Sequence, residues 1–260
     1  MSFSTEIKNE LSELQNNARH CRIAELSALL ASCAVNVPEA GISEPLLIRT
    51  DSFYAARKCF TLIRKSFNII CNVSVRRNKK SSSGSIYTIR CTSLKESRDL
   101  LTACGIKRAD RTVMTPEGTF KSKVLRSACC KRSYLRGAFL GMGTISDPKT
   151  AYDFEYNCPD DAKAAQILKL MEAFDIAGKV TKRKTRRAVY LKDGTQISDM
   201  LNVIGAYKAL MEFENARIMK DVLNKVNRQL NCDTANVQKT LKAAQKQLDD
   251  IQLIRDSASF

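Results

Sequence analysis

Two clusters of basic side chains carry the clearest chemistry in this 260-residue chain: Arg76, Arg77, Lys79 and Lys80, then Lys182, Arg183, Lys184, Arg186 and Arg187. Each lies in a polar stretch between apolar runs, the pattern of a hairpin turn. Guanidinium and ammonium groups held on adjacent strands neutralise phosphates, and such contacts position a nucleic acid without reading its bases. A charge run at a turn is ordinarily just solvated. These two gain weight because they fall at matching places in a repeated sequence, which would set positive charge symmetrically at both ends of one surface. The whole chain has the same bias, with 43 Lys and Arg against 27 acids and a net charge of +16. That balance favours a polyanion partner, nucleic acid first and an anionic membrane surface second. A merely soluble basic protein is the plain alternative.

Other reactive residue types form no recognisable set. His20 is the sole histidine, and the ten cysteines include no C-x-x-C pair. A zinc site is therefore not expected, and no cofactor is implied. His20 reads as an isolated surface or structural histidine, and the adjacent Cys129 and Cys130 lack a plausible activating histidine, so structural thiols are the reading there. Scattered cysteines without a signal peptide point to reduced, partly buried thiols in the cytoplasm. Nucleotide-binding, serine-hydrolase and metalloprotease signatures are all missing. No apolar run reaches the roughly 18 residues of a membrane span.

The elements that must position the basic clusters are marked by glycine. Gly137 and Gly141 stand four apart inside an apolar helix over 131–143, where each costs roughly 1 kcal/mol against alanine. A second helix packed backbone-close on that face would compensate. Ala28 and Ser32, in a helix over 21–34, stand 109 residues before them, and Ala24 matches Ser133.

The elements that follow each helix repeat as well. An opening helix over 4–16, capped by Ser4, precedes the first copy. That copy continues with a strand at 46–49, a helix from Asp51 or Ser52 to Phe67, strands at 69–76 and 85–91, and a helix at 95–104 stopped by Gly105. The second has a strand at 152–157, a helix from Pro159 to Ala173, strands at 176–182 and 188–192, and a helix at 197–204 stopped by Gly205. Asp51 aligns with Asp160, Phe67 with Phe174 and Asp99 with Asp199, so the offset falls from 109 to 107 to 100 as turns shorten. The expected fold class is α+β, a duplicated domain with a pseudo-two-fold axis. Its halves are residues 1–106 and 131–220, joined by a basic connector at 107–130. Residues 221–260 read as helical, with a break at 231–235, Thr234 capping the next helix, and an amphipathic face on Val237, Leu241, Ala244, Leu248 and Ile251.

Two small-faced helices, each followed by strands and helices, resemble the halves of a LAGLIDADG homing endonuclease. The wider sequence resembles the WhiA family of bacterial sporulation and cell-division DNA-binding proteins. Ser2-Phe-Ser-Thr-Glu-Ile-Lys-Asn-Glu-Leu11, Leu135-Arg-Gly-Ala-Phe-Leu140, Val189-Tyr-Leu-Lys-Asp-Gly194 and the stretch 227–236 carry that likeness over almost the whole chain. The resemblance implies motif helices packed at the pseudo-two-fold axis, a saddle-shaped sheet in each half that lies on double-stranded DNA, and a C-terminal helix-turn-helix. Only the lead-in of that last module falls within 221–260, so it is expected to be incomplete here.

The resemblance also implies what is missing. Active nucleases of the fold have an acid at the penultimate motif position, where carboxylate oxygens hold a divalent cation at the scissile phosphate. Cys33 and Met142 occupy those positions and cannot do so. Asp147 follows the second motif, but a lone carboxylate there has the ordinary role of a turn residue. The implied function is a non-catalytic DNA-binding regulator of transcription and cell division or chromosome segregation, associated with the nucleoid and partnered by the transcription machinery. A divergent metal-dependent endonuclease and a protein-interaction module stand as alternatives.

Overall fold

The structure is a computed structural model that describes residues 2–36, 45–77, 84–106, 123–183 and 186–257. The chain divides into a first compact unit, Met1–Phe213, and a second, Glu214–Phe260. Helix α1 (Phe3–Glu13) opens the first unit. One copy of the repeat then runs α2 (Arg19–Ser32), β1 (Ala34–Asn36), β2 (Leu47–Thr50), α3 (Phe53–Phe67), β3 (Cys71–Arg77), β4 (Ser85–Cys91) and α4 (Leu94–Ala103). The other runs α5 (Ala128–Met142), β5 (Gly143–Ile145), β6 (Phe154–Cys158), α6 (Asp161–Glu172), β7 (Lys179–Arg183), β8 (Arg186–Leu191) and α7 (Gly194–Ile204). Each copy forms one antiparallel four-stranded sheet, ordered β1-β2-β4-β3 and β5-β6-β8-β7. The α+β class and the duplication are as the sequence implies. Strands β1 and β5 are additions, each of three residues and too short to show an alternation.

Polar caps set the helix starts. Ser2, not Ser4, caps α1, because its Oγ accepts the Thr5 amide proton at 3.3 Å while Phe3 is already buried in the first turn. Ser52 caps α3 through the amide of Ala55, and Asp160 caps α6 through the amide of Lys163. The structural counterpart of Asp160 is thus Ser52 rather than Asp51, which corrects the sequence alignment by one residue. Left-handed residues end four helices: Asn68 after α3, Gly105 beyond α4, Asp175 beyond α6 and Gly205 after α7. For Gly105 and Gly205 the absent Cβ makes that backbone cheap.

The core lies between the helices and one face of each sheet. Phe139 of α5 stacks on Phe154 with ring centres 5.2 Å apart and meets the edge of Tyr156, whose hydroxyl donates to the Leu135 carbonyl at 3.0 Å. Ile48 and Ile89, directly opposite one another, fill the same role in the first sheet. At the centre, α2 and α5 meet through their small residues. A Cβ on Gly137 would stand 2.3 Å from the Glu25 carbonyl oxygen, and one on Gly141 would stand 1.8 Å from Ser32 Oγ. The spacing of glycines was legible as a seam for this reason.

Helix α8 (Tyr207–Ser257) begins in the first unit, where Ala209 and Phe213 are buried. The Glu10 carboxylate accepts the amide protons of Lys208 and Ala209 at 2.9 and 3.2 Å, occupying donors that the helix start leaves unpaired. From Glu214 to Ser257, the second unit is continuous helix. The break expected at 231–235 does not occur: the stretch has neither glycine nor proline, and the Thr234 hydroxyl donates back to the Leu230 carbonyl at 2.7 Å instead of capping a new helix. No helix among the described residues is long and apolar enough to cross a membrane.

Candidate nucleic-acid interface

Strand register decides which basic side chains share a surface. Directly paired residues of antiparallel strands project to the same face, and successive residues alternate. In the first sheet, Arg49 is opposite Thr88 and Thr88 opposite Ser74; Arg90 is opposite Asn72, and Arg76 opposite Ile86. These residues alternate with the buried Ile48 and Ile89, so they form the outer face, on which Arg49, Arg76 and Arg90 are exposed. Arg77 belongs to the opposite parity. In the second sheet, Thr144, Glu155, Tyr190 and Lys179 form one outer row, and Arg183 and Arg186 oppose each other at the hairpin end. Lys179, Arg183 and Arg186 are exposed. Lys182 and Arg187 share the parity of the core-facing Tyr156 and Val189.

The sequence clusters are therefore divided by the pleat. Arg76 and Arg183 hold equivalent outer-face positions, one per sheet. Arg187 turns toward α6, where its guanidinium grips Asp161 with two hydrogen bonds, the Nη2–Oδ2 one at 2.9 Å. Arg183 forms an ion pair with Glu155 on its own face. Arg77, Arg183, Arg186 and Arg187 stand in strands, not in the turns as the sequence suggested. Lys79, Lys80 and Lys184 lie outside the described residues. Arg49, Arg90 and Lys179 were missed, because each is an isolated cation within a strand and becomes part of a row only through cross-strand pairing.

The outer face of the second sheet runs into a cleft of about 780 Å³ at the C-terminal ends of α2 and α5. Ser32, Cys33, Gly141 and Met142 line it from the seam, Thr144, Asn157 and Arg186 from the sheet, and Lys8, Asp51 and Asp160 from the surrounding elements. Burial pushes the Lys8 ammonium down from its usual range, an effect partly offset by the Asp51 carboxylate. Asp160 is engaged as the α6 cap. Asp147 accepts the Lys149 amide proton at 2.8 Å, as a turn residue does.

Three family models match this architecture segment by segment: the WhiA N-terminal LAGLIDADG-like domain over residues 19–107, the WhiA LAGLIDADG-like domain over 131–223, and the WhiA C-terminal HTH domain over 226–260. A relative from Lachnoclostridium phytofermentans, named "Probable cell division protein WhiA", is 39% identical over 264 residues, covering 100% of this chain and 83% of that one. The chain belongs to the WhiA family. A Heliobacterium modesticaldum relative of the same name is 38% identical over 100% of this chain and 81% of its own. The crystal structure of full-length DUF199/WhiA from "Thermatoga maritima" superposes with a TM-score of 0.68 at 22% identity, over 93% of this chain and 75% of that chain, and shares the fold.

In this member of the WhiA family, the two positions that resemblance to the nucleases assigns to metal-binding acids are Cys33 and Met142. Both line the cleft and both are buried, 5% and 9% exposed. A thiol and a thioether are poor ligands for a hard divalent cation, which takes oxygen donors. Residues 226–257, the described part of the HTH match, are continuous α8.

One expectation about reactive groups is overturned. His20 is not isolated: its Nε2 lies 3.4 Å from Cys129 Sγ. Nothing in the sequence distance of 109 residues signals that meeting, which follows from the packing of α2 against α5.

Proposed function

We propose that this WhiA-family protein binds double-stranded DNA in the service of cell division, and that it does so without cutting it. One observation carries the reading: each sheet turns a row of exposed cations outward, Arg49, Arg76 and Arg90 on one and Lys179, Arg183 and Arg186 on the other. Rows of this kind suit phosphates along a duplex, with little base readout. Of the cations expected from the sequence, Arg76, Arg183 and Arg186 are assigned to phosphate contact. Arg77 and Lys182 sit at the hairpin ends with opposite parity, and Lys79, Lys80 and Lys184 are retained by their sequence position alone. Arg187 is given to Asp161. The absence of acids at Cys33 and Met142 supports binding over cleavage, and the HTH match over 226–260 supports a second DNA-contacting segment. We assign the finer role to transcription regulation at the nucleoid, with the transcription machinery as protein partner, on the family's account.

A gel-shift titration against salt tests this. Affinity should fall steeply as salt rises, and plasmid should stay intact with magnesium or manganese. Salt-independent binding, or metal-dependent cleavage that follows the pure protein, would overturn the reading. Cleavage would instead favour the endonuclease alternative, for which Asp51 and Asp160 are the carboxylates that line the cleft.

A further inference from the structure

The opposite ends of the motif helices hold a different set of groups. His20 and Cys21 occupy the first turn of α2, and Cys129 and Cys130 the first turn of α5, at the same 109-residue offset as Ser32 and Gly141. The pseudo-two-fold axis thus brings two equivalent pairs face to face. One ligand atom from each residue, three sulfurs and an imidazole nitrogen, lies within 4.8 Å of all the others. His20 Nε2 and Cys129 Sγ are 3.4 Å apart. A tetrahedral zinc ion, with bonds of about 2.3 Å to sulfur and about 2.0 Å to nitrogen, has ligand–ligand edges of roughly 3.5–3.8 Å. Closing the longest edge therefore needs a movement of about 1 Å, within reach of small side-chain torsions.

We propose that His20, Cys21, Cys129 and Cys130 form a Cys3His site for zinc that staples the two halves of the duplicated domain at the start of their motif helices. The chemistry of the set fits. Thiolates and imidazole are the ligands of a structural zinc site, and four of them close its coordination shell. Both pairs sit in the first turns of their helices, where the backbone field favours thiolate, while burial of Cys21 and Cys130 pushes their thiols up and opposes it. Cys21 and Cys130 are buried, in a small apolar cluster with Ala24, while His20 and Cys129 face solvent, so an ion could enter from that side. On binding, the three thiols pass their protons to solvent and the imidazole stays neutral. Adjacent pairs, unlike a C-x-x-C knuckle, carry no local signature. The site exists only once two helices 109 residues apart are packed.

The ion would cross-link the seam far along the helices from the cleft, leaving Ser32, Cys33, Gly141 and Met142 as they are. The test uses the full chain, purified under reducing conditions, stripped with chelator and titrated with zinc and with cobalt(II). The expected result is one tightly held zinc per chain, the thiolate charge-transfer and tetrahedral d–d absorption of cobalt, and a rise in Tm. Cys129→Ser and His20→Asn alter exposed side chains and should keep the fold by circular dichroism while losing about tenfold or more in zinc affinity. Cys232→Ser, at an exposed thiol on α8, should leave affinity unchanged. A weak octahedral cobalt spectrum, no retained zinc, or zinc binding equal in Cys129→Ser and the parent would overturn the proposal. So would reduced protein that takes up no metal but forms a Cys21–Cys130 disulfide in air, which would make the cluster a thiol pair and no metal site.

Discussion

Glu25 Oε1 lies 3.2 Å from Lys58 Nζ inside the helix seam, and both side chains are buried. Asn16 donates to the other carboxylate oxygen at 3.0 Å, and Arg136 stands 3.9 Å from it while donating to the Ile204 carbonyl. In the second copy the same two places hold Tyr134 and Gln166, joined by a hydroxyl-to-amide hydrogen bond of 2.9 Å. One half of the duplication thus uses an ion pair where the other uses a neutral one. Burial pushes the Glu25 carboxyl up, against the pull of Lys58 and Arg136. Removing one partner of a buried pair strands the other charge, at about 3–5 kcal/mol, whereas replacing both costs far less. Glu25→Gln should therefore destabilise by about that amount, and adding Lys58→Met should recover part of it. Urea unfolding measures both; strictly additive losses would count against the pairing.

The seam makes a sharper prediction at its glycines. A methyl on Gly137 meets the Glu25 backbone carbonyl, whereas one on Gly141 meets chiefly the Ser32 side chain. Either alanine gains roughly 1 kcal/mol of helix propensity, and the overpacking of about 1–3 kcal/mol or more outweighs it. Both single variants should be less stable. Ser32→Gly should rescue Gly141→Ala and leave Gly137→Ala unrescued, as thermal melts of the four proteins would reveal.

Lys163 gives stability a pH dependence of definite sign. Its ammonium is buried over the Tyr134 ring, 4.8 Å from the ring centre, and donates to Tyr134 and Gln166 with no carboxylate among these contacts. Burial lowers its pKa to about 8 from the ordinary 10.5. Between those values the unfolded chain binds more protons, so stability rises with pH through that window and is lowest below it. Lys163→Met should stabilise at neutral pH by on the order of 2–3 kcal/mol and flatten the rise from pH 7 to 10 relative to the parent. An unchanged slope in the variant would exclude Lys163 as its source.

Parity within the sheets separates two kinds of arginine. Neutralising Arg49, Arg76, Arg90 or Arg186 one at a time should weaken DNA binding similarly on any sequence and lower the salt slope by about 1 each. Arg187→Ala should leave the slope nearly unchanged and destabilise the hairpin by up to about 1 kcal/mol through loss of the partly exposed Asp161 pair. Equal slopes for all five variants would dismiss the two-face division.

Much of this molecule was legible before folding. The helix starts near Ser52 and Asp160, the stop at Gly205, both hairpins and the small residues at Ala28, Ser32, Gly137 and Gly141 are local signals, set by backbone chemistry within a few residues; which residue serves as each cap was left open. The duplication was legible because two copies of such signals recur in order. The three-residue strands β1 and β5 were not, since so short a segment owes its conformation to its partner strand. Continuous α8 was misread at 231–235 because Asn, Asp and Thr favour caps and turns only as a weak preference.

What only the tertiary structure decided concerns meetings and faces. Register across strands, which no single strand encodes, separated Arg76 from Arg77 and Arg183 from Arg187, and joined Arg49 and Arg90 to the outer row. Packing of α2 on α5 brought His20 to Cys129, and packing of α2 on α3 brought Glu25 to Lys58. A sequence states its own local periodicity; the partner of a side chain a hundred residues away is fixed only when burial of apolar faces selects one arrangement of the elements.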